Sequence, residues 1–532
     1  MLKNERRAGA KGRRMKMAIQ YAVNLNEEGR EYPHYWELCV GSCHAATILR
    51  ADVQAQIRRA HREIGFKYLR FHGLLDDDMS VVIQPMIPIV KPRISFFNID
   101  TLFDFLLDAG MKPFVELGFM PEAFASTEQT TFHYKGYSSM PKNDQDWSEL
   151  ITKLVAHLEE RYGATEVRSW FFEVWNEPNL RFFFDGSMKD YFHLYELTAR
   201  AIKGVDSKLK VGGPATSNNM WIPEFRAFCD ENDVPYDFIT THHYPSDDPL
   251  SRAGMNGVDE KGEGFGSLPN FQVMPEEDRA EMIRKIMEMF RGENKNPRDV
   301  LYQSTKKVKE EAGDYPVYYT EWNAGHYDET YAAAGILATL AYNEGLVEGY
   351  SYWCISDIFE EQGLNGLPFN NEFGLVTVHG VRKPSYRIFE ALHQAGDRRL
   401  PVEGFGASRT AEVLPLTDGE TVTLFVYNHD IEARDIKEEE VELTLLGDVQ
   451  SLSIAVIDSK HANPLGCWEA QGKPEYPTKA QLAELELASQ LVWESIPAEN
   501  GRNVLKLKLE PESVAIVKAV LAFVYDSGRR KQ

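Results

Sequence analysis

The segments of this chain best equipped for chemistry are FEVWNEPN, in which Asn176 and Glu177 close an apolar run, and YYTEWN, in which Glu321 closes another. Each puts a carboxylate at the C-terminal tip of an expected strand, where barrels of alternating strands and helices carry their reactive groups. Glycoside cleavage passes through an oxocarbenium-like transition state, which calls for a proton donor at the leaving oxygen and an anion beneath the anomeric carbon. Two glutamates far apart in sequence, each flanked by Trp and Asn, suit those tasks. In this reading Glu177 is the acid and then the base, its protonated form favoured by apolar neighbours such as Trp175 and by the charge of its partner. Glu321 is the nucleophile, and Asn176 hydrogen-bonds the sugar 2-hydroxyl. The expected carboxyl separation is about 5 to 5.5 Å, which allows direct attack and retention, whereas about 6.5 to 9.5 Å would admit a water and invert the centre.

Other residues compete for these tasks. A lone Glu at a strand end is most often a surface group or an ion-pair member. Glu173 shares a strand face with Glu177 by alternation, and it reads as a buried, hydrogen-bonded structural carboxylate, as does Glu116 in FVELG. His72 in KYLRFHG, His242 and Tyr244 in DFITTHHY, and Trp353, Glu360 and Glu361 in YWCISDIFEE are candidate sugar contacts. Rings cover the apolar faces of a pyranose and charged groups take its hydroxyls. For each His, structural hydrogen bonding is the plainer alternative. Metal ligation by His72, His242 and His243 lacks a carboxylate-flanked ligand helix, and Cys39 and Cys43 lack a second ligand pair, so no metal is expected. No Gly-rich phosphate loop of convincing spacing occurs, so no cofactor is expected either.

The elements that must position these groups run from about residue 36 to 395. ELCVG (37–41), KYLRFHG (67–73), KPFVELG (112–118), SWFFEVWNE (169–177), LKVGGPA (209–215), DFITTHHY (237–244), PVYYTEWN (316–323) and GYSYWCIS (349–356) give eight candidate strands. Helical patterns alternate with them, among them 52–64, 99–109, 147–162, 188–204, 222–232, 276–290, 300–312, 329–344 and 385–392. Eight right-handed crossovers imply an α/β fold, a (β/α)8 TIM barrel, with a doubly wound open sheet as the rival. Loops at 74–98, 119–146 and 245–274 are long enough to wall a pocket, which favours trimming of chain ends; the third is rich in Gly, Asp and Glu and reads first as a mobile solvated flap with no direct role.

Residues 396–532 change texture. TVTLFVYNH, EVELTLLG, SLSIAVID, NVLKLKLE and SVAIVKAVLAFVY are β-branched and partly alternating, the pattern of an accessory C-terminal β-sandwich domain. MAIQYAVNLN (17–26) is a further strand outside the barrel count, so residues 15–35 are expected to join that sandwich. Residues 1–14 read as a flexible basic tail, because no apolar stretch follows Arg13 and Arg14 to complete a secretion signal.

Composition narrows the partners. The 532 residues carry a net charge of −23, which disfavours nucleic acid and anionic membrane surfaces and leaves neutral small molecules such as an oligosaccharide. No run of about 18 apolar residues exists to span a membrane. Five scattered cysteines suggest free thiols in a reducing, cytoplasmic setting.

Taken in order, WELCVGSCHA, FHGLLDDDM, FFNID, KPFVELGFMPEAFAS, FEVWNEPN, TTHHYP, YYTEWN and SYWCISDIFEE resemble glycoside hydrolase family 39, the β-xylosidase family, from about Trp36 to Ala391. The resemblance implies a retaining exo-enzyme on a (β/α)8 barrel, with Glu177 as acid/base and Glu321 as nucleophile. It further implies sugar contacts at His72, Asn176, His242, Tyr244, Trp353 and Glu360, with Phe183 and Glu361 carried over less directly, and a homo-oligomer, often a tetramer. AGHYDETY after Glu321 is shorter than the family's usual loop, which bears on leaving-group selectivity. The family also holds α-L-iduronidases, whose acidic sugar calls for a cation, and no Lys or Arg adjoining the motifs suggests itself for that purpose. Other exo-glycosidases of the family, an endo-acting glycanase and a noncatalytic carbohydrate-binding barrel remain the alternatives to an exo-β-xylosidase.

Overall fold

Alternation along eight short runs presents one residue in two to a common interior. In the computed structural model, which describes residues 18–85, 92–245, 297–404, 406, 408, 410–431 and 435–522, these runs close into a parallel barrel. Its strands are β1 (Cys39–His44), β2 (Tyr68–His72), β3 (Lys112–Leu117), β4 (Phe171–Val174), β5 (Lys210–Thr216), β6 (Phe238–His243), β7 (Val317–Trp322) and β8 (Gly349–Tyr352). Each pairs with its successor, and β8 returns to β1 through Tyr352 and Val40. Outside them lie α1 (Ala51–Ile64), α2 (Phe97–Asp108), α3 (Asp144–Tyr162), α4 (Met188–Val205), α5 (Ile222–Glu231), α6 (Val300–Ala312), α7 (Thr330–Tyr342) and α8 (Pro384–His393). The expected helix at 276–290, and the loop at 245–274 beyond Pro245, lie outside the described residues.

Local chemistry explains where several elements begin and end. Asn143 accepts from the backbone of Gln145 and Asp146 to start α3, and Ser187 with Asp190 forms a capping box at α4. Two expected strands are shorter than their apolar runs. ELCVG opens on a 3-10 turn over Tyr35–Glu37, so β1 starts only at Cys39. SWFFEVWNE leaves the sheet after Val174, because Trp175 and Glu177 adopt left-handed φ values of 71° and 42°.

The bore is layered. At its N-terminal end Cys39, Tyr68, Phe114, Phe171, Phe238 and Tyr318 form an apolar floor, with Phe114 stacked on Phe171 at 4.8 Å. Two residues further along the same strands come Arg70, Glu116, Glu173 and Thr320, and beyond them His72 and His242. Register shifts between Ser42/His44, Pro214/Thr216, Thr241/His242 and Tyr319/Trp322 gather at the C-terminal rim, where bulges re-aim side chains.

After the barrel the chain builds two sheets. Ala411–Thr417, Thr421–Asn428, Ser513–Leu521 and Val449–Ile457 are consecutive in a seven-stranded sheet, and a three-stranded sheet comprises Ile19–Asn24, Glu439–Leu446 and Arg502–Leu509. Ile19–Asn24 pairs in parallel with Val441–Leu446. Val23, Val413, Val426, Leu443 and Val517 belong to one apolar cluster shared by both sheets, while the alternate residues Leu414, Phe425, Tyr427 and Ile516 belong to the barrel's cluster. The large sheet is therefore covered on both faces, and α7, TYAAAGILATLAY, is apolar all round because it lies buried between barrel and sheet. AEVLPLT and the helices Pro464–Ala470 and Lys479–Ala488 are elements the sequence reading did not identify. Among the described residues no helix is long and apolar enough to cross a membrane, and all five cysteines are free thiols.

Candidate active site

The NEPN turn presents Glu177 at the rim. Its backbone N–H donates to Ala215 at the end of β5 (2.9 Å), and Asn179 exchanges two bonds with the Ser217 backbone, 2.9 and 3.2 Å. These ties hold a left-handed glutamate, a conformation that concentrates at functional sites. Across the bore, the shift between Thr241 and His242 puts His242 beside Glu321 in register. One carboxylate oxygen of Glu177, one of Glu321 and a ring nitrogen of His242 lie within 4.8 Å of one another.

Glu321 is fixed from both sides. Arg70 Nη1 donates to its Oε1 at 2.7 Å and the Tyr244 hydroxyl to its Oε2 at 2.5 Å. Arg70 is fully buried and also donates through Nε to Glu173 (2.6 Å) and through Nη2 to Asn176 Oδ1 (2.9 Å), and Nη2 forms an ion pair with Glu116 Oε2 at 2.9 Å. Burial opposes its charge, but Glu173, Glu116 and Glu321 hold its pKa well above the usual value. Arg70 stands two residues before His72, in a motif where no cation for an acidic sugar suggests itself from sequence. It is turned wholly onto these neighbours, and a buried guanidinium needs such partners.

The histidines are held neutral. Burial, with Arg70 and His72 behind it, keeps His242 well below the ordinary range. His72 is pushed down to about 3, chiefly by burial, against the pull of Glu321. Its Nδ1 bonds Glu116 Oε2 at 2.8 Å, leaving Nε2 facing the pocket 3.6 Å from Glu321 and 3.9 Å from Glu361. Burial raises Glu116 to about 7, opposed by Arg70. Burial and then the charge of Glu321 carry Glu361 well above the carboxylate range.

The remaining expected contacts divide. Trp353 lies 4.6 Å from the His72 ring, over Gly41, where a Cβ would come within 2.3 Å of the indole. Phe183 joins an aromatic wall with Phe119 and Phe132, and its carbonyl accepts from the Trp175 indole. Glu360 is drawn aside: its carboxylate sits 3.9 Å from His44, and its N–H donates to Cys43 Sγ. Glu173 and Glu116 are buried and hydrogen-bonded to Arg70's side of the bore. Arg70, Phe119, Phe132 and Thr320 were not singled out from sequence. Arg70 had a signal, since a cation between Leu69 and Phe71 on an apolar strand demands buried counterions; the rings of the 119–146 loop had none.

Comparison with known proteins identifies the family. The family model described as Glycosyl hydrolases family 39 matches residues 19–262 and 272–503. The chain is 41% identical to a β-xylosidase of Caldicellulosiruptor saccharolyticus over 94% of its length and 98% of that protein. It is 32% identical to a β-xylosidase of Geobacillus stearothermophilus, covering 93% of this chain and 95% of the other. Among solved structures, a β-xylosidase of Caulobacter crescentus superposes with a TM-score of 0.75 at 30% identity, covering 94% of this chain and 99% of that one. The chain belongs to glycosyl hydrolase family 39 and is a glycosidase.

Proposed function

We propose that this protein is a retaining exo-β-xylosidase that releases xylose from the non-reducing end of short xylo-oligosaccharides. The observation that carries the mechanism is that one oxygen of Glu177 and one of Glu321 come within 4.8 Å of each other at one buried rim, close enough to favour the short carboxyl separation of direct attack. The Glu321 carboxylate attacks the anomeric carbon. The glycosidic C–O bond breaks, and its electron pair passes to the leaving oxygen, which takes the proton of Glu177. In the second step Glu177 accepts a proton from water as the water oxygen attacks the same carbon and the bond to Glu321 breaks. Two inversions give retention.

Arg70 and Tyr244 aim the nucleophile by donating to its two oxygens. Because Asn176 Oδ1 is taken by Arg70, its NH2 group is the part suited to a sugar 2-hydroxyl. His72, His242, Tyr244, Trp353 and Glu361 surround the bound sugar, Phe183 closes the wall, and Glu360 takes an outer hydroxyl by turning from His44. The two sheets after residue 396 are an accessory β-sandwich completed by the described part of the segment 15–35, with the catalytic barrel at 36–395; the expected basic tail at 1–14 lies outside the described residues.

The names of the full-length relatives favour xylose. The commitment of Arg70 to Glu116, Glu173 and Glu321 weighs against an iduronic acid carboxylate in this pocket. The test is turnover of nitrophenyl β-xyloside against the glucoside, galactoside and arabinoside. Xyloside should be fastest, and a 2-fluoroxyloside should leave its sugar on Glu321. A slower xyloside, or an adduct elsewhere, would defeat the reading.

A further inference from the structure

Behind the acid/base lies a chain of buried hydrogen bonds whose directions can be read from one fixed end. Arg70 Nε donates to Glu173 Oε2 at 2.6 Å, so the opposite oxygen of that carboxylate, Oε1, remains an acceptor; the Thr320 hydroxyl donates to it at 2.7 Å. A hydroxyl has one proton to give. With that proton spent on Glu173, Thr320 Oγ1 can only accept from the His242 Nε2 that lies 3.2 Å away. A neutral imidazole carrying its proton on Nε2 has a bare lone pair on Nδ1. That lone pair meets Glu177 Oε1 at 2.9 Å, a bond that exists only if the proton belongs to Glu177.

We propose that Thr320 is a positioning residue for the acid step: its hydroxyl, committed to Glu173, fixes the tautomer of His242 so that Nδ1 accepts from the protonated Glu177. The inference rests on Glu177 being the acid/base. It gives the residue before the nucleophile a role separate from strand packing, and it links the protonated acid to Arg70 through Glu173, Thr320 and His242. In the opposite tautomer, Nδ1–H would donate to an ionised Glu177, and Thr320 would have to turn its proton to Nε2. Its lone pair would then confront Glu173. The buried state of His242 holds it neutral in either case.

The charged and titratable groups around this pair, among the described residues, are Glu173 on β4, Arg70 and His72 on β2, Glu116 on β3, Glu321 on β7 and Tyr244 beyond β6. None of them changes in Thr320→Val, which keeps shape and removes the hydroxyl. His242 is then free to put its proton on Nδ1 and donate to the Glu177 carboxylate, which favours the ionised acid. The alkaline limb of kcat/KM, which reports loss of the acid's proton, should move down by about one pH unit, roughly a tenfold loss of rate at the alkaline end. The loss should be larger for a sluggish alkyl leaving group than for dinitrophenolate, which needs little protonation. Thr320→Ser should restore the wild-type limb.

Glu173→Gln provides an independent reversal. Arg70 Nε requires the amide oxygen, so the NH2 faces Thr320 and forces its proton toward His242; the limb should again fall. An alkaline limb in Thr320→Val matching wild type, or equal shifts in Thr320→Val and Thr320→Ser, overturns the proposal. These outcomes are read on whichever glycoside turns over, so they are distinct from failure of the xyloside assignment, and a fluorosugar adduct away from Glu321 would sink that assignment while leaving the limb measurement intact.

Discussion

The floor and the middle of the barrel bore are built by neighbouring residues of the same strands, yet they have opposite chemistry. Tyr68, Phe114, Phe171 and Tyr318 face the bore as a ring of aromatics. Two residues on, Arg70, Glu116, Glu173 and Thr320 replace every apolar side chain with a polar one, all buried. Burying an aromatic at the floor is favourable by about 1.5–3 kcal/mol. Burying Arg70 among three carboxylates returns much of its Coulomb gain to desolvation. The same pleat places both layers, so geometry does not distinguish them. The floor holds the barrel closed, and the middle layer is retained for what it does to the groups above it.

The two layers should respond differently to substitution. The largest effect belongs to the rim: Glu321→Gln should lower kcat on nitrophenyl β-xyloside by on the order of 10^4-fold or more. Glu177→Gln should cost about 10^2- to 10^4-fold, with added azide restoring turnover by displacing Glu321 from the glycosyl-enzyme and yielding the glycosyl azide of retained configuration. A sharper comparison sets Arg70→Met against Phe114→Ala. The first strands three buried carboxylates and should cost about 3–5 kcal/mol; the second leaves a floor cavity and should cost about 3–5 kcal/mol. Urea midpoints should fall alike. Turnover per folded molecule, normalised by circular dichroism, should collapse only in Arg70→Met, and equal turnover losses would erase the distinction between the layers.

Much of this contrast was legible in the chain. Alternation plus the terminal Glu of YYTEWN and FEVWNEPN located the rim, because a parallel barrel fixes which strand ends are used. The clustering of the acids around Arg70 was not legible, since strands 2, 3, 4 and 7 meet across the bore only after closure. Glu360 and Glu361 look equivalent in sequence, yet adjacent residues point apart, and the structure turns one toward His44 and the other toward His72. The start of β1 was misplaced because a 3-10 turn and a strand can share the same apolar letters over so short a run.

Acid should also discriminate the two ends, by a smaller amount. His72 and His243, at the C-terminal ends of β2 and β6, are both pushed down to about 3, chiefly by burial. The unfolded chain protonates each near about 6.5. Between those values the unfolded state binds protons the folded state refuses, so stability is full above about pH 6.5 and declines toward pH 3 by up to about 1.4 kcal/mol per unit for each residue. His242 is held low in the same way, so His243→Gln should remove one of several such contributions, and the drop in Tm between pH 7 and 5 should shrink accordingly. An unchanged drop would mean that the acid response originates elsewhere.

The finest comparison uses two glycines. A Cβ at Gly41 would stand 2.3 Å from the Trp353 indole at the pocket, and one at Gly212 would stand 2.3 Å from the Phe238 ring at the floor. Both are steric loads of the overpacking kind, placed on an aromatic at opposite ends of one bore. Gly41→Ala should tilt Trp353 away from His72 and raise KM for the xyloside several-fold with kcat little changed, because a stacking wall binds ground state and transition state alike. Gly212→Ala, whose Cβ would also stand 2.5 Å from the Phe238 carbonyl oxygen, should lower Tm and leave KM where it is, since three strand residues separate Phe238 from His242. A rise in KM from the floor substitution would show that the two layers are mechanically coupled, and that the polar middle transmits packing strain instead of insulating the site from it.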